Sequence, residues 1–324
     1  IHHILTTVIG QSLANVLRHL GYTVLSINHI GDWGTQFGKL AVAYEKWGEK
    51  KAVSEYSLEA LLSLYVKFHT ELESDPSLEQ EGRKAFARLE QGDTVLRKFW
   101  KDVIDITMQS MEHLYKRLDV HFDHTQGESF YEDKMQPILQ EGKQKNVFVP
   151  GKEGALIAEF DEATKIPPAI VLKSDGSTIY LTRDLATLRY RIDTWHPEQI
   201  LYVVDVAQSL HFRQIFAIAQ KLGWELPDCQ HVSFGRMSFT DKGMSTRKGN
   251  ILRLEEVLDE AVRRADDLIA EKRSELSGTE RTDLAEMMGV GSVVYGVLSQ
   301  NRELDLTFDW KKFLSFDGNS APYI

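Results

Sequence analysis

An apolar stripe at helical spacing stops at a glycine and runs straight into a strand-like segment, and this junction constrains the chain most. Val8, Ile9, Leu13, Val16, Leu17 and Leu20 lie on one face of a helix, with Gly21 placed as its C-terminal cap. Residues 22–28, YTVLSIN, are rich in β-branched and aromatic types and predict a buried strand. A loop, a helix and a strand in that order make half of a doubly wound α/β unit.

The texture then changes twice. Residues 52–72, 76–91 and 93–118 predict three amphipathic helices. Leu58, Leu61, Leu62, Tyr65 and Phe68 form the stripe of the first, and Val95, Phe99, Val103, Ile106 and Met111 that of the third. Short β runs follow at 155–160, 169–172 and 178–181, with turn signals at Pro150-Gly151 and Asp175-Gly176. Residues 201–206 predict another buried strand, 209–222 a helix, and helices dominate from Leu254 onward. The expected fold is α/β, a Rossmann-like doubly wound parallel sheet split by a largely helical connective insertion. Its first half is 1–45, the insertion 46–164 with β segments at its end, and its second half 165–260. A helical region, 261–324, closes the chain.

Composition removes several classes of protein. The 324 residues suffice for one large domain or two ordinary ones, and 42% apolar with 27% charged residues is a soluble globular balance. No apolar run approaches the roughly 20 residues of a bilayer span. The single cysteine, Cys229, excludes an internal disulfide framework and a multi-thiolate zinc site, and fits a reducing, cytoplasmic setting. Residue 1 is isoleucine and the chain stops in an apolar segment at Tyr323-Ile324, so the sequence reads as a fragment with both natural ends missing. A net charge of −10 argues against broad nucleic-acid binding. Locally, however, Arg236, Lys242, Arg247, Lys248 and Arg253 face one acid, Asp241, and a polyanion could dock there.

Four clusters can carry chemistry. His2 and His3 open the first helix, where unpaired N–H groups and the dipole suit phosphate. Asn28-His29-Ile30-Gly31-Asp32-Trp33-Gly34-Thr35-Gln36-Phe37-Gly38 either brings backbone close to a ligand or forms a tight strand-to-helix turn with Trp33 in the core. Tyr180-Leu181-Thr182-Arg183-Asp184 is placed at a strand end, where open sheets bind ligands. There Asp184 could grip a guanidinium, Tyr180 could wall its flat face, and Gln208 could add an amide. Alternatively Asp184 pairs with Arg183 or Arg189 at the surface. Gly243-Met244-Ser245-Thr246-Arg247-Lys248-Gly249-Asn250 reads as a mobile loop able to close on a triphosphate.

Together these segments resemble the class I arginyl-tRNA synthetases. The resemblance rests on GDWGTQFG at 31–38, YLTRD at 180–184 and GMSTRKGN at 243–250. GESFYEDKM at 127–135, HVSFGRM at 231–237 and LSFDGNSAPYI at 314–324 support it. It implies ATP-dependent activation of L-arginine to an adenylate, then transfer to the terminal adenosine of an arginine-accepting tRNA. ATP enters as substrate with Mg²⁺ on its triphosphate, and no zinc or other protein-held metal is expected. By the same resemblance His3, Arg247 and Lys248 are catalytic, and His3, Tyr180, Asp184 and Gln208 bind arginine. The ATP site would comprise His2, His3, Gly31, Asp32, Gly34, His231, Gly235, Met244, Ser245 and Lys248. His2 stands where the HIGH motif normally holds glycine, and Gly243 and Thr246 stand in the lysine slots of the KMSKS motif, with Lys242 as a further cation. The expected partners are arginine, ATP and the acceptor end of the tRNA, bound by a monomer without a membrane. The tRNA-elbow and anticodon-binding domains of the family would lie outside this sequence. Two other readings stay open: a related nucleotidyltransferase with another substrate, and a non-catalytic RNA-binding descendant.

Overall fold

The computed structural model describes residues 3–49, 51–174, 176, 179–239 and 253–308. Helix α1 (His3–His19) ends as its glycine predicts. Gly21 takes φ 89°, its N–H reaches the Arg18 carbonyl, and the Tyr22 N–H reaches that of Leu17, a Schellman closure. The buried stripe of α1 sits nearer its start than expected, on Ile4, Leu5, Val8 and Ile9, while Val16 and Leu20 are exposed.

The strand predicted over 22–28 shrinks to β1 (Ile27–Asn28), paired in parallel with β2 (His124–Thr125). Tyr22 and Leu25 are exposed. A strand exists only where a neighbour takes its hydrogen bonds, and here β2 supplies partners to two residues.

The helical region is largely as predicted. Helix α2 (Thr35–Trp47) precedes α3 (Leu58–Ser74), α4 (Ser77–Glu90) and α5 (Thr94–Arg117). Ser57 caps α3 through its side chain, so that helix starts later than its predicted residue 52, with a 3-10 turn at Val53–Glu55 before it. Asp93 caps α5 with two N–H bonds. Val95, assigned to the apolar stripe, is exposed, whereas Phe99 and Val103 are buried. These helices share one core with Trp33, which is fully buried and meets Phe86 and Trp100 edge-on at 5.5 and 5.4 Å.

After the 3-10 segment Glu128–Lys134 comes α6 (Met135–Gln144), then an antiparallel sheet of β3 (Phe148–Pro150), β4 (Leu156–Ala158) and β5 (Ala169–Leu172). Of the strand predicted at 178–181, residues 180 and 181 belong instead to helix α7 (Tyr180–Trp195). Leu181, Leu185 and Leu188 recur at helical spacing and all are buried, so one face can join a core that a short strand could not serve. Thr182 anchors the first turn by donating its hydroxyl to the Val171 carbonyl on β5. The YLTRD segment therefore opens a helix, correcting its expected place at a strand end.

Strand β6 (Gln199–Asp205) and α8 (Ser209–Lys221) fall where a strand and a helix were predicted, and β7 (Asp228–Phe234), which was not predicted, pairs in parallel with β6 to complete a βαβ unit. Strand β8 (Met237–Phe239) pairs with β9 (Leu306–Phe308), and α9 (Leu254–Lys272) packs on α10 (Gly278–Leu298). Among the described residues the β structure is thus four small sheets, where one continuous doubly wound sheet was expected. The parallel pairs β1–β2 and β6–β7 share no ladder. Val203 and Val232 of the second pair pack with Val8 and Ile9 of α1 in one core. No described helix is long and apolar enough to cross a membrane.

Candidate functional site

Two loops run side by side after β1 and β2. The Gln126 N–H bonds the Asn28 carbonyl and the Glu128 N–H bonds that of Ile30, extending the parallel pairing beyond the strands. Ser129 donates its N–H and its hydroxyl to the two Asp32 oxygens, at 2.8 and 2.6 Å, and the Trp100 indole donates to the Asp32 carbonyl at 2.6 Å. Asp32 is buried and braces this junction. Gly127 is needed beside it, because a Cβ there would strike the Asp32 carboxylate.

The braced loops present His29 and Glu128 to the first turns of α7. Asp184 is half-buried between two imidazoles. Its Oδ2 lies 2.6 Å from Nε2 of His211, on the first turn of α8, and its Oδ1 lies 3.9 Å from Nε2 of His29. Nδ1 of His29 sits 3.1 Å from the Gln126 carbonyl, and the ring packs against Tyr131 with centroids 5.7 Å apart. A carbonyl only accepts, so Nδ1 carries the proton and Nε2 of the neutral ring is an acceptor. Burial, reinforced by the charge of Arg191, holds the His29 imidazole below the ordinary histidine range against the pull of Asp184.

Beside Asp184, Arg183 bonds Glu128 at 2.7 Å, both side chains nearly enclosed. Burial pushes the Glu128 carboxyl up to about 7 despite that guanidinium, with Asp184 and Asp32 adding to the rise. Arg191, two turns further along α7, is buried with its guanidinium 5.4 Å from the centre of the Tyr202 ring. Burial also raises the Tyr202 hydroxyl to about 12. The cluster therefore combines carboxylates, a neutral imidazole acceptor and resident guanidinium groups in one half-buried group of side chains.

A family model described as "tRNA synthetases class I (R), catalytic domain" matches residues 1–310. The chain belongs to this class I synthetase family. It is 45% identical to the arginine--tRNA ligase of Fusobacterium nucleatum over 100% of this chain and 57% of that protein. It is 43% identical to the arginine--tRNA ligase of Clostridium botulinum over 99% of the chain and 57% of that relative. Among solved structures, the arginyl-tRNA synthetase of Plasmodium falciparum superposes with TM-score 0.80 at 25% identity, over 99% of this chain and 53% of the other. The Thermus thermophilus arginyl-tRNA synthetase shares the fold at TM-score 0.78 and 22% identity, over 100% of this chain and 59% of the other. The chain thus spans little more than half the length of these relatives.

Within this class I synthetase domain the remaining predicted residues each have their own surroundings. Tyr180, 60% exposed at the start of α7, lies with the Arg183 guanidinium 5.8 Å from its ring centre. Gln208 is exposed at the end of the 3-10 turn Val206–Gln208, one turn before His211. His3 is exposed at the start of α1, its carbonyl accepting from the Thr7 hydroxyl. Gly34 adopts φ 143° as α2 begins, and the Gln36 side chain folds over it. Gly31 leaves ordinary contact distance to Glu128. His231 bonds the Val204 carbonyl at 3.0 Å and packs on Phe212, while Gly235 lets the Leu304 backbone approach closely. His2, Met244, Ser245, Arg247 and Lys248, together with Lys242, Gly243 and Thr246, lie outside the described residues, as does the 314–324 segment.

Sequence reasoning named His29 and Glu128 only as members of motifs, without a role of their own, and did not single out His211 or Arg191. Some signal for them was present. His29 directly follows a strand, where α/β ligands gather, and Gln208 with His211 share a helix face at i, i+3.

Proposed function

We propose that this domain is the catalytic part of an arginine--tRNA ligase. It activates L-arginine with ATP and passes the arginyl group to the terminal adenosine of an arginine-accepting tRNA. The observation that carries the reading is Asp184, whose one oxygen is held by His211 while the other is turned toward His29. A flat cation with several N–H donors suits that carboxylate better than a compact ammonium. Relatives at 43–45% identity named as arginine--tRNA ligases support the same substrate.

In the first step the arginine carboxylate attacks the α-phosphorus and pyrophosphate leaves. No covalent enzyme intermediate is required, so the protein contributes position and charge neutralisation. We assign the N-terminus of α1 with His3 to the phosphates, and Arg247 and Lys248, which lie outside the described residues, to the leaving pyrophosphate. Gly31, Gly34, His231 and Gly235 are proposed to shape the nucleotide pocket, with Asp32 bracing it from behind. Magnesium would arrive on the triphosphate, held chiefly by phosphate and water. The two parallel strand pairs are read as portions of one doubly wound nucleotide fold, which the shared packing of α1 with β6 and β7 supports.

Arginine-dependent exchange of labelled pyrophosphate into ATP, measured on the full-length protein with its tRNA, tests the reading. Asp184→Ala is expected to abolish exchange while ATP binding stays measurable. Near-normal exchange by that variant would remove arginine from this site.

A further inference from the structure

Asp184 does not stand alone, and its two neighbours play different parts. The Asp184 carboxylate accepts at Oδ2 from His211 Nε2 at 2.6 Å, so the proton of that bond resides on His211. This contact fixes the side chain's rotation and leaves Oδ1 directed at His29. Across the gap, His29 Nε2 and Asp184 Oδ1 are 3.9 Å apart, too far for a hydrogen bond and both acceptors. The Gln126 carbonyl locks the tautomer that makes Nε2 an acceptor. The charged groups facing the ring are Arg191, Asp184 and Asp32. Burial together with Arg191 outweighs the two carboxylates and keeps the ring neutral. Two acceptors facing each other in a half-buried site are stabilised when donors enter between them.

We propose that His29 and His211 complete the arginine site around Asp184. His211 is a positioning residue that holds the carboxylate, and His29 is a specificity residue whose Nε2 accepts a second N–H of the same guanidinium. A guanidinium presents N–H groups from separate nitrogens in a rigid fork, so one can meet Oδ1 while another meets Nε2. It is also more weakly hydrated than an ammonium, which lowers the cost of entering a half-buried site. The inference rests on the arginine reading of the site and adds the residues that make it selective.

The test uses arginine-dependent pyrophosphate exchange by the full-length protein with tRNA, and the Michaelis constants for arginine and ATP are measured separately. His29→Phe keeps a flat ring and removes the acceptor. It should raise the KM for arginine roughly ten- to hundredfold with the KM for ATP unchanged, the size expected for a hydrogen bond to a charged group. His29→Gln, which restores an acceptor, should recover most of the loss. His211→Leu should likewise raise the arginine KM selectively, and His211→Gln should recover it by donating to Asp184. An arginine KM within twofold of wild type in His29→Phe would overturn the proposal, as would equal increases in both KM values. A measurement on unaltered protein guards against variants that fail to fold. L-Citrulline, which replaces one terminal nitrogen of the fork by a carbonyl oxygen, should compete with arginine at least a hundredfold more weakly than canavanine. Comparable competition by the two would also overturn it. Wild-type protein with no arginine-dependent exchange would instead defeat the arginine reading itself, so the two failures are told apart.

Discussion

Glu128 shows how a single side chain can report on the cluster. Its carboxyl, raised to about 7 by burial, binds its proton more tightly in the folded chain than in the unfolded one. The stabilising contribution of that proton is complete below pH 4.5 and disappears as pH climbs through 7. Replacing Glu128 with Gln should therefore leave the variant gaining on wild type between pH 5 and pH 8. The gain should reach about 3 kcal/mol at most, given ~1.4 kcal/mol for each pKa unit. Thermal melts of both proteins across that range check it, and a constant difference would place the Glu128 carboxyl in its ordinary range. At this scale sequence reasoning singled out Asp184, Tyr180 and Gln208 by resemblance. It did not foresee that Asp184 would lie between the imidazoles of His29 and His211, because a histidine's role depends on what faces each ring nitrogen. Those partners come from other parts of the chain.

Among the elements, helices were more legible than strands, for a local reason. A helix closes its hydrogen bonds within itself and shows its buried face as a period in the sequence, as in α3, α5 and α8. A strand needs a neighbour. Residues 22–25 have the composition of one yet stay outside the ladder, and residues 180 and 181 open a helix that buries Leu181, Leu185 and Leu188. Helix crossings were not legible at all. Gly38 of α2 lies against α4 so closely that a Cβ would land on the Gly82 carbonyl and on Phe86. Gly38→Ala is expected to cost about 1–3 kcal/mol by forcing the helices apart. Gly10, inside α1, has open space at the same position. Gly10→Ala should stabilise by about 0.5–1 kcal/mol through helix propensity alone. Chemical denaturation of the two variants should thus move in opposite directions. A loss from both would show that the α2–α4 crossing is nothing special.

For the molecule as a whole, Arg117 joins parts that are distant in sequence. From the end of α5 it bonds Asp259 on α9 at 2.7 Å and Glu286 on α10 at 2.8 Å, itself 13% exposed. Its partners are more open to solvent, so the discounted value of the pair is about 1 kcal/mol. Arg117→Met should lower the unfolding free energy by that amount in low salt and by less in high salt, measured by urea titration. Local pattern and composition by themselves determined the helical stretches, the β6 strand with the α8 helix after it, the single cysteine and the motif resemblance that family membership bears out. Tertiary structure alone decided how the site is assembled. Asp32 and Ser129 meet from 97 positions apart, and through that junction His29 and Glu128 are set against the opening turns of α7. The physical reason is that burial and hydrogen-bond pairing belong jointly to the segments that meet. A linear pattern records each segment's preference, whereas the protonation of His29 and the aim of Asp184 arise only where the segments close on one another.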